Sequence, residues 1–284
     1  MDNKRKHFWL KALGRNDLPE TITAGGQYYR IIETFKHDFF AATGLYERDK
    51  SDGRQHYDTK IPKKVVLKVG RTQPLLLLPM RPIGRWLAKR EGRFYNALQD
   101  LDGVPMYLGL WNNIGVVHEF IEGHPLRKGE QVNDEFFPKL FALIKTIHLR
   151  HMAYVDLEKR ENILVGDDGN PYLIDFQISF GLLSSFSQHV PFARFLLRKL
   201  QRSDEYHLLK HRRRHRPDQL SPEEIAASYK RPIYVEAHRI IFRPLTQLRR
   251  AFLRMLLGDK FQPRHEEKKA AQAAKQASEQ REKE

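Results

Sequence analysis

Three side chains carry hard oxygen atoms: Asp156 within a polar, irregular segment from Tyr154 to Glu161, and Asn162 and Asp175 at the ends of the short apolar runs that follow it. Asp156 closes Tyr154-Val155-Asp156, Asn162 opens Asn162-Ile163-Leu164-Val165, and Asp175 ends Leu173-Ile174-Asp175. Such oxygens suit Mg²⁺, which usually draws one or two carboxylates from a protein and completes its shell with phosphate and water. An Asn carbonyl and an Asp carboxylate at the two ends of one hairpin can meet around that ion. Asp156 is then left to face an attacking hydroxyl. This division of labour fits phosphoryl transfer, in which the protein supplies position and charge rather than covalent chemistry. The alternative reading has Asn162 capping a turn and Asp175 starting one.

The elements that must hold these residues are legible nearby. The turn Gly166-Asp167-Asp168-Gly169-Asn170 between two apolar runs predicts a hairpin that carries Asn162 and Asp175. Upstream, Asn133 or Asp134 is placed to cap a helix running to about His148, with Phe137, Leu140, Phe141, Ile144 and Ile147 on one face. Residues 29–35 and 39–46 read as a β-hairpin, 64–69 as a third strand and 115–121 as another. The apolar spacing from Trp86 to Leu101 is that of a helix. The expectation is an α+β chain with a small β-rich lobe followed by a reduced α-helical lobe. Its parts are an N-terminal segment 1–27, an N-lobe 28–123, a helical C-lobe 124–262 and a charged tail 263–284 that cannot bury a core face.

The 284 residues carry a formal net charge of +15 and no cysteine. The missing thiols exclude disulfides, thiolate nucleophiles and Cys-based metal centres. The N-terminus has no apolar core of a secretory signal, and the run Leu75 to Leu78 is too short to span a bilayer, so a cytoplasmic protein is expected. The positive balance favours polyanionic partners. His148 and His151 suggest no zinc site, for want of a third ligand. Lys210 to Arg216 reads equally as a solvated charge run or as a contact for phosphate-bearing substrate.

The set Asp156, Asn162, Asp175-Phe176 resembles the protein-kinase-like superfamily, particularly divergent bacterial branches such as lipopolysaccharide-core, RIO-like and aminoglycoside-kinase-like enzymes. The resemblance covers about residues 28–180. It implies a two-lobed protein-kinase-like fold that binds ATP and Mg²⁺, with Asp156 as the catalytic-loop aspartate and Asn162 and Asp175 as metal ligands. It further implies that Lys68, in Val65-Val66-Leu67-Lys68, meets the α/β-phosphates and pairs with Glu91. Val66 and the linker residues Glu119 and Ile121 are implied around adenine.

Some positions depart from that pattern. Tyr154 and Val155 replace the His and Arg that precede the catalytic aspartate, and the gap from Asp156 to Asn162 is one residue longer. Gln177 stands where the glycine of Asp-Phe-Gly belongs, and Phe35-Lys36-His37-Asp38 replaces a glycine-rich loop, with Lys36 and His37 offered as side-chain substitutes for its backbone donors. The expected acceptor is a glycan or lipid-linked sugar rather than a protein Ser/Thr; a pseudokinase or nucleotide-binding scaffold is the alternative. A nucleic-acid binder ranks last, lacking a recognised binding motif. Leu245, Leu248, Phe252, Met255 and Leu256, interleaved with Arg249, Arg250 and Arg254, form a stripe that would either close a core or lie peripherally on the anionic inner face of the membrane.

Overall fold

The computed structural model describes residues 11–49, 59–74 and 79–230, which belong to a unit of the chain ending at Lys230. The apolar run 75–78, the stripe from Leu245 to Leu256 and the tail 263–284 lie outside the described residues.

The chain is mixed α+β, with an antiparallel sheet first and helices after it. Strands β1 (Thr21–Ala24), β2 (Gln27–His37), β3 (Ala41–Arg48) and β4 (Lys64–Gly70) precede helix α1 (Met80–Leu98). Strands β5 (Tyr107–Trp111) and β6 (Gly115–Glu119) complete a six-stranded sheet of order β1-β2-β3-β4-β6-β5. The expected hairpin is β2–β3, and the sheet begins ahead of residue 28, since Thr21 pairs with Arg30. The alternation of β4 buries Val65, Leu67 and Val69 in one apolar cluster with Tyr29, Tyr46 and Val117, while Lys68 turns to the other face.

Helix α1 starts six residues before the expected Trp86. Pro82 is tolerated because the first-turn N–H groups have no intrahelical partner. Gly84 permits close packing: a Cβ there would stand 3.0 Å from the Arg71 carbonyl oxygen. This contact seats α1 against the end of β4, so that Glu91 comes over Lys68.

After the short strand β7 (Gly123–Pro125) comes helix α2 (Phe136–Leu149), with Phe137, Leu140, Ile144 and Ile147 buried as expected and Phe141 only partly so. Its cap differs from expectation. Glu135 occupies the N-cap without a side-chain bond. Asn133 instead donates to the Gly169 carbonyl at 2.8 Å, and Asp134 pairs with Arg216 at 2.6 Å. Strand β8 (Met152–Ala153) leads to a 3₁₀ turn at Arg160–Asn162, and the predicted hairpin follows as β9 (Ile163–Gly166) and β10 (Pro171–Leu173). Strand β11 (Phe180–Gly181) pairs with β8, and α3 (Ser185–His189), α4 (Pro191–His215) and α5 (Pro222–Tyr229) end the described chain.

Much of the sequence from Lys210 to Arg216 is packed rather than solvated, although Arg214 is exposed. His211, His215 and Arg216 are buried. Arg216 is fixed between Asp134 and Asp218, each at 2.6 Å, and Arg213 covers the Tyr229 ring at 3.6 Å. The charges at this end of α4 hold the loop before α2 and helix α5 in place. Among the described residues no helix is long and apolar enough to cross a membrane.

Candidate active site

Lys68 projects from β4 between two carboxylates. Its Nζ lies 3.0 and 3.2 Å from the Glu91 oxygens and 2.7 Å from Asp175 Oδ1. Glu91 is almost wholly buried, at 3% exposure, so its helix face is a partner for Lys68 and not a solvated surface. Burial pulls the Lys68 ammonium down, but the Glu91 and Asp175 charges outweigh it and leave its pKa raised. Burial pushes the Glu91 carboxyl up, against the pull of Lys68. Asp175 is also disfavoured by burial, yet Lys68 and the more distant Lys159 hold it below the ordinary aspartate value.

Asp156 occupies the turn after β8 and is mostly buried. Its Oδ2 accepts from Lys159 Nζ at 2.6 Å and from Asn162 Nδ2 at 2.9 Å. Burial raises the Asp156 pKa, Lys159 and Asn162 oppose the rise, and the nearby Asp175 charge adds to it. The ends of the β9–β10 hairpin are tied by the Ile174 N–H, which donates to the Asn162 carbonyl at 3.1 Å. Asn162 and Asp175 therefore sit at adjoining positions, as the hairpin spacing anticipates. With its amide nitrogen given to Asp156, Asn162 keeps its side-chain carbonyl as the hard-oxygen end.

The backbone around these residues is held in costly conformations. Val155 and Asp175 have φ of 72° and 65°, in the left-handed region that a β-branched residue seldom enters. Val155 is retained there by Asp204 of α4, which is fully buried. Asp204 accepts from the Tyr154 N–H at 2.7 Å, from the Val155 N–H at 2.8 Å and from His148 Nε2 at 3.1 Å. One helical turn pair further on, His211 Nε2 donates to the Leu157 carbonyl at 2.8 Å. Helix α4 thus grips the turn on both sides of Asp156.

A column of aromatic rings links this turn to the sheet. Tyr154 meets Phe176 at 5.2 Å between centroids, Phe176 meets Tyr95 of α1 at 4.9 Å, and Tyr95 stacks on His118 at 5.1 Å and on Tyr107 at 6.2 Å. Such edge-on and offset contacts add to the burial of the rings themselves. Burial holds the His118 pKa down at about 4, so the ring stacks as neutral imidazole. Arg90 extends the connection, donating to the Gln177 carbonyl at 2.9 Å and to the Ser179 carbonyl at 2.5 Å. Gln177 is thereby fastened to α1.

The remaining expected positions are less exclusively placed. Val66 is buried in β4 and pairs with His118 across the strands. Glu119 gives its N–H to the Met106 carbonyl, its carboxylate accepts from the Met106 N–H, and its carbonyl accepts from His118 Nδ1. Ile121 follows the strand as a half-buried linker residue. Lys36 is paired with Asp38 at 2.9 Å, and His37 turns towards Leu13 and Asp17, so this turn does not present both cations outward.

Lys159 and Asp204 escape a reading by spacing. Lys159 is one of several charged residues in the loop 158–161, and Asp204 stands beside the exposed Glu205 in an arginine-rich helix. Only its complete burial marks it as a positioning group. Compared with known proteins, the chain matches no family model and no curated protein.

Proposed function

We propose that the protein is an ATP-dependent phosphotransferase with a two-lobed, protein-kinase-like architecture, acting in the cytoplasm on a hydroxyl of a glycan or lipid-linked sugar. The observation that carries this reading is the meeting of Lys68, Glu91 and Asp175 beside a buried Asp156 that is bonded to Asn162.

Among the described residues no three His, Cys, Asp or Glu side chains form a ready metal cage. Mg²⁺ draws most of its ligands from phosphate and water. Asp175 and the Asn162 carbonyl are the residues that would hold it. When bound, Mg²⁺ neutralises the triphosphate and polarises its oxygens. Lys68 supplies a fixed cation for the phosphates, and Glu91 keeps that cation in place. Asp156 orients the acceptor hydroxyl and takes its proton as the oxygen attacks the γ-phosphorus and the bond to the leaving diphosphate breaks. Lys159 favours the carboxylate form of Asp156 that this role needs, and Asn162 fixes its rotamer.

A nucleotide-binding scaffold is the second reading. It is favoured by the direct Lys68–Asp175 contact of 2.7 Å and by the engagement of the Glu119 carbonyl with His118. Purified protein incubated with γ-labelled ATP, Mg²⁺ and separate glycan, lipid-linked sugar and protein acceptors distinguishes the two. Label in a sugar acceptor, lost in Asp156→Ala, is the expected result. ATP binding with no label in any acceptor overturns the enzyme reading in favour of the scaffold.

A further inference from the structure

Beginning three residues beyond Asp175, the chain turns a series of large apolar side chains outward. Phe186 and Phe192 are the most exposed of that kind among the described residues, at 82% and 74%, and Ile178, Leu183 and Phe195 are exposed as well. Their exposure is not a failure of the helix to pack. On α4, Ala193, Leu197 and Leu200 already face inward, against Ala153 and Leu182. Phe192, Phe195 and Lys199 recur at i, i+3 and i+7 and form a separate outward stripe. The Lys199 ammonium sits 5.2 Å from the Phe195 ring centroid.

The charge around these rings has one sign. From Ile178 to Ser203 the sequence holds Arg194, Arg198, Lys199 and Arg202 and no carboxylate. The adjoining surface repeats the pattern. A cavity of about 1130 Å³ brings Trp86, Lys89 and Arg93 of α1 alongside Leu183, Ser184 and Ser187. Trp86 is 60% exposed, and Arg81 and Arg85 are exposed on the same helix. The sole carboxylate of α1 is Glu91, which is buried against Lys68.

We propose that α3, the first turns of α4 and the outer face of α1 form a docking surface for an anionic lipid bilayer. Protein interfaces also gather aromatic residues and arginine but are depleted of lysine, whereas here Lys89 and Lys199 stand among the rings and no carboxylate lies between Ile178 and Ser203. Here exposed aromatic rings alternate with arginine and lysine, the composition that places rings at the acyl boundary and cations among headgroups. Each such cation contributes about 1 kcal/mol near an anionic surface. The surface starts on the segment that leaves Asp175, so docking would hold a lipid-linked acceptor near Asp156. That consequence rests on the phosphotransferase reading, whereas the docking itself does not.

The test is co-sedimentation of the full-length protein, without nucleotide, with vesicles of phosphatidylcholine alone or mixed equally with phosphatidylglycerol. The protein is expected to sediment with the anionic vesicles only and to be released by high salt. Phe186→Ser/Phe192→Ser should weaken binding about tenfold or more, from the lost burial of two rings. Arg194→Glu/Arg198→Glu should do the same, while Leu248→Ser/Phe252→Ser keeps most of it. Phe186, Phe192, Arg194 and Arg198 are all exposed, so an unchanged melting temperature is expected for those two double variants.

Wild-type protein left in the supernatant at low salt overturns the proposal. So does binding lost in the Leu248/Phe252 variant and kept in the Phe186/Phe192 variant, which assigns the docking to the C-terminal stripe. Sedimentation velocity covers the remaining occupant: a dimer dispersed by the Phe186/Phe192 change assigns the surface to a second copy. Binding is read here without ATP, so a negative phosphate-transfer assay leaves this outcome standing and fails separately.

Discussion

At the scale of single residues, the behaviour of Asp156 depends on Lys159, 2.6 Å away. Burial raises the Asp156 pKa and Lys159 is the leading influence against that rise. Removing the ammonium therefore moves the carboxyl further up. In Lys159→Ala the acid limb of the pH–rate profile should shift to higher pH, with transfer at neutral pH reduced about tenfold or more, as for loss of a group that acts in proton transfer. An acid limb unchanged in position would show that Lys159 does not tune Asp156. Asp156, Asn162 and Asp175 were legible because their chemistry lies in a contiguous hairpin. Lys68 and Glu91 were legible only as members of an ordered set, since a strand lysine and a helix glutamate say little alone. Lys159 was missed because it is one of four consecutive charged residues, Glu158 to Glu161, and nothing in the order of types singles it out.

The elements show a similar divide between local and tertiary information. The β2–β3 and β9–β10 hairpins are written in alternation and turn chemistry and formed as read. Strand β5 was hidden by its brevity and by Gly109, whose φ of 120° interrupts the register with β6. The role of α4 was hidden altogether, because its arginines suggest solvent while its inward face carries Asp204, His207, His211 and His215. Substituting Asp204 by Ala orphans two buried N–H groups and leaves the left-handed Val155 unsupported. A loss of about 3 kcal/mol in unfolding free energy is expected. A fall of less than about 1 kcal/mol would contradict its role, that being the size of one ordinary hydrogen bond.

The histidines of these elements make stability depend on pH. His118 and His211 are held by burial at about 4, below the unfolded value near 6.5, and His207 and His215 are lowered as well. Between those limits the unfolded chain binds more protons than the folded one, so stability is full above the unfolded pKa and falls as pH drops towards the folded value. For His118 and His211 the loss by pH 5 is roughly 2 kcal/mol each. His118→Phe keeps a ring on Tyr95 and removes one titration. Its unfolding free energy should fall less between pH 7.5 and pH 5, values chosen to bracket the histidine range, than that of the wild type. Parallel curves would rule out His118 as a contributor.

For the whole molecule, the net charge is +15, and among the described residues the cations divide between internal ties and open surface, which composition could not reveal. The basic end of α4 is spent on internal ties to Asp134 and Asp218, whereas the start of α4 and the outer face of α1 leave their cations exposed. The sheet brings Lys68, α1 brings Glu91, the β9–β10 hairpin brings Asn162 and Asp175, and α4 grips the turn that carries Asp156. The central claim is that this convergence is a site for ATP with Mg²⁺ in which metal binding and acceptor orientation are separate duties. The most direct measurement is calorimetric titration of ATP into the wild type, Asp175→Ala and Asp156→Ala, each with and without Mg²⁺. Mg²⁺ should tighten ATP binding in the wild type and in Asp156→Ala, and the gain should vanish in Asp175→Ala, by about tenfold or more for a lost charged ligand. An equal, Mg²⁺-independent response in all three proteins would contradict the account.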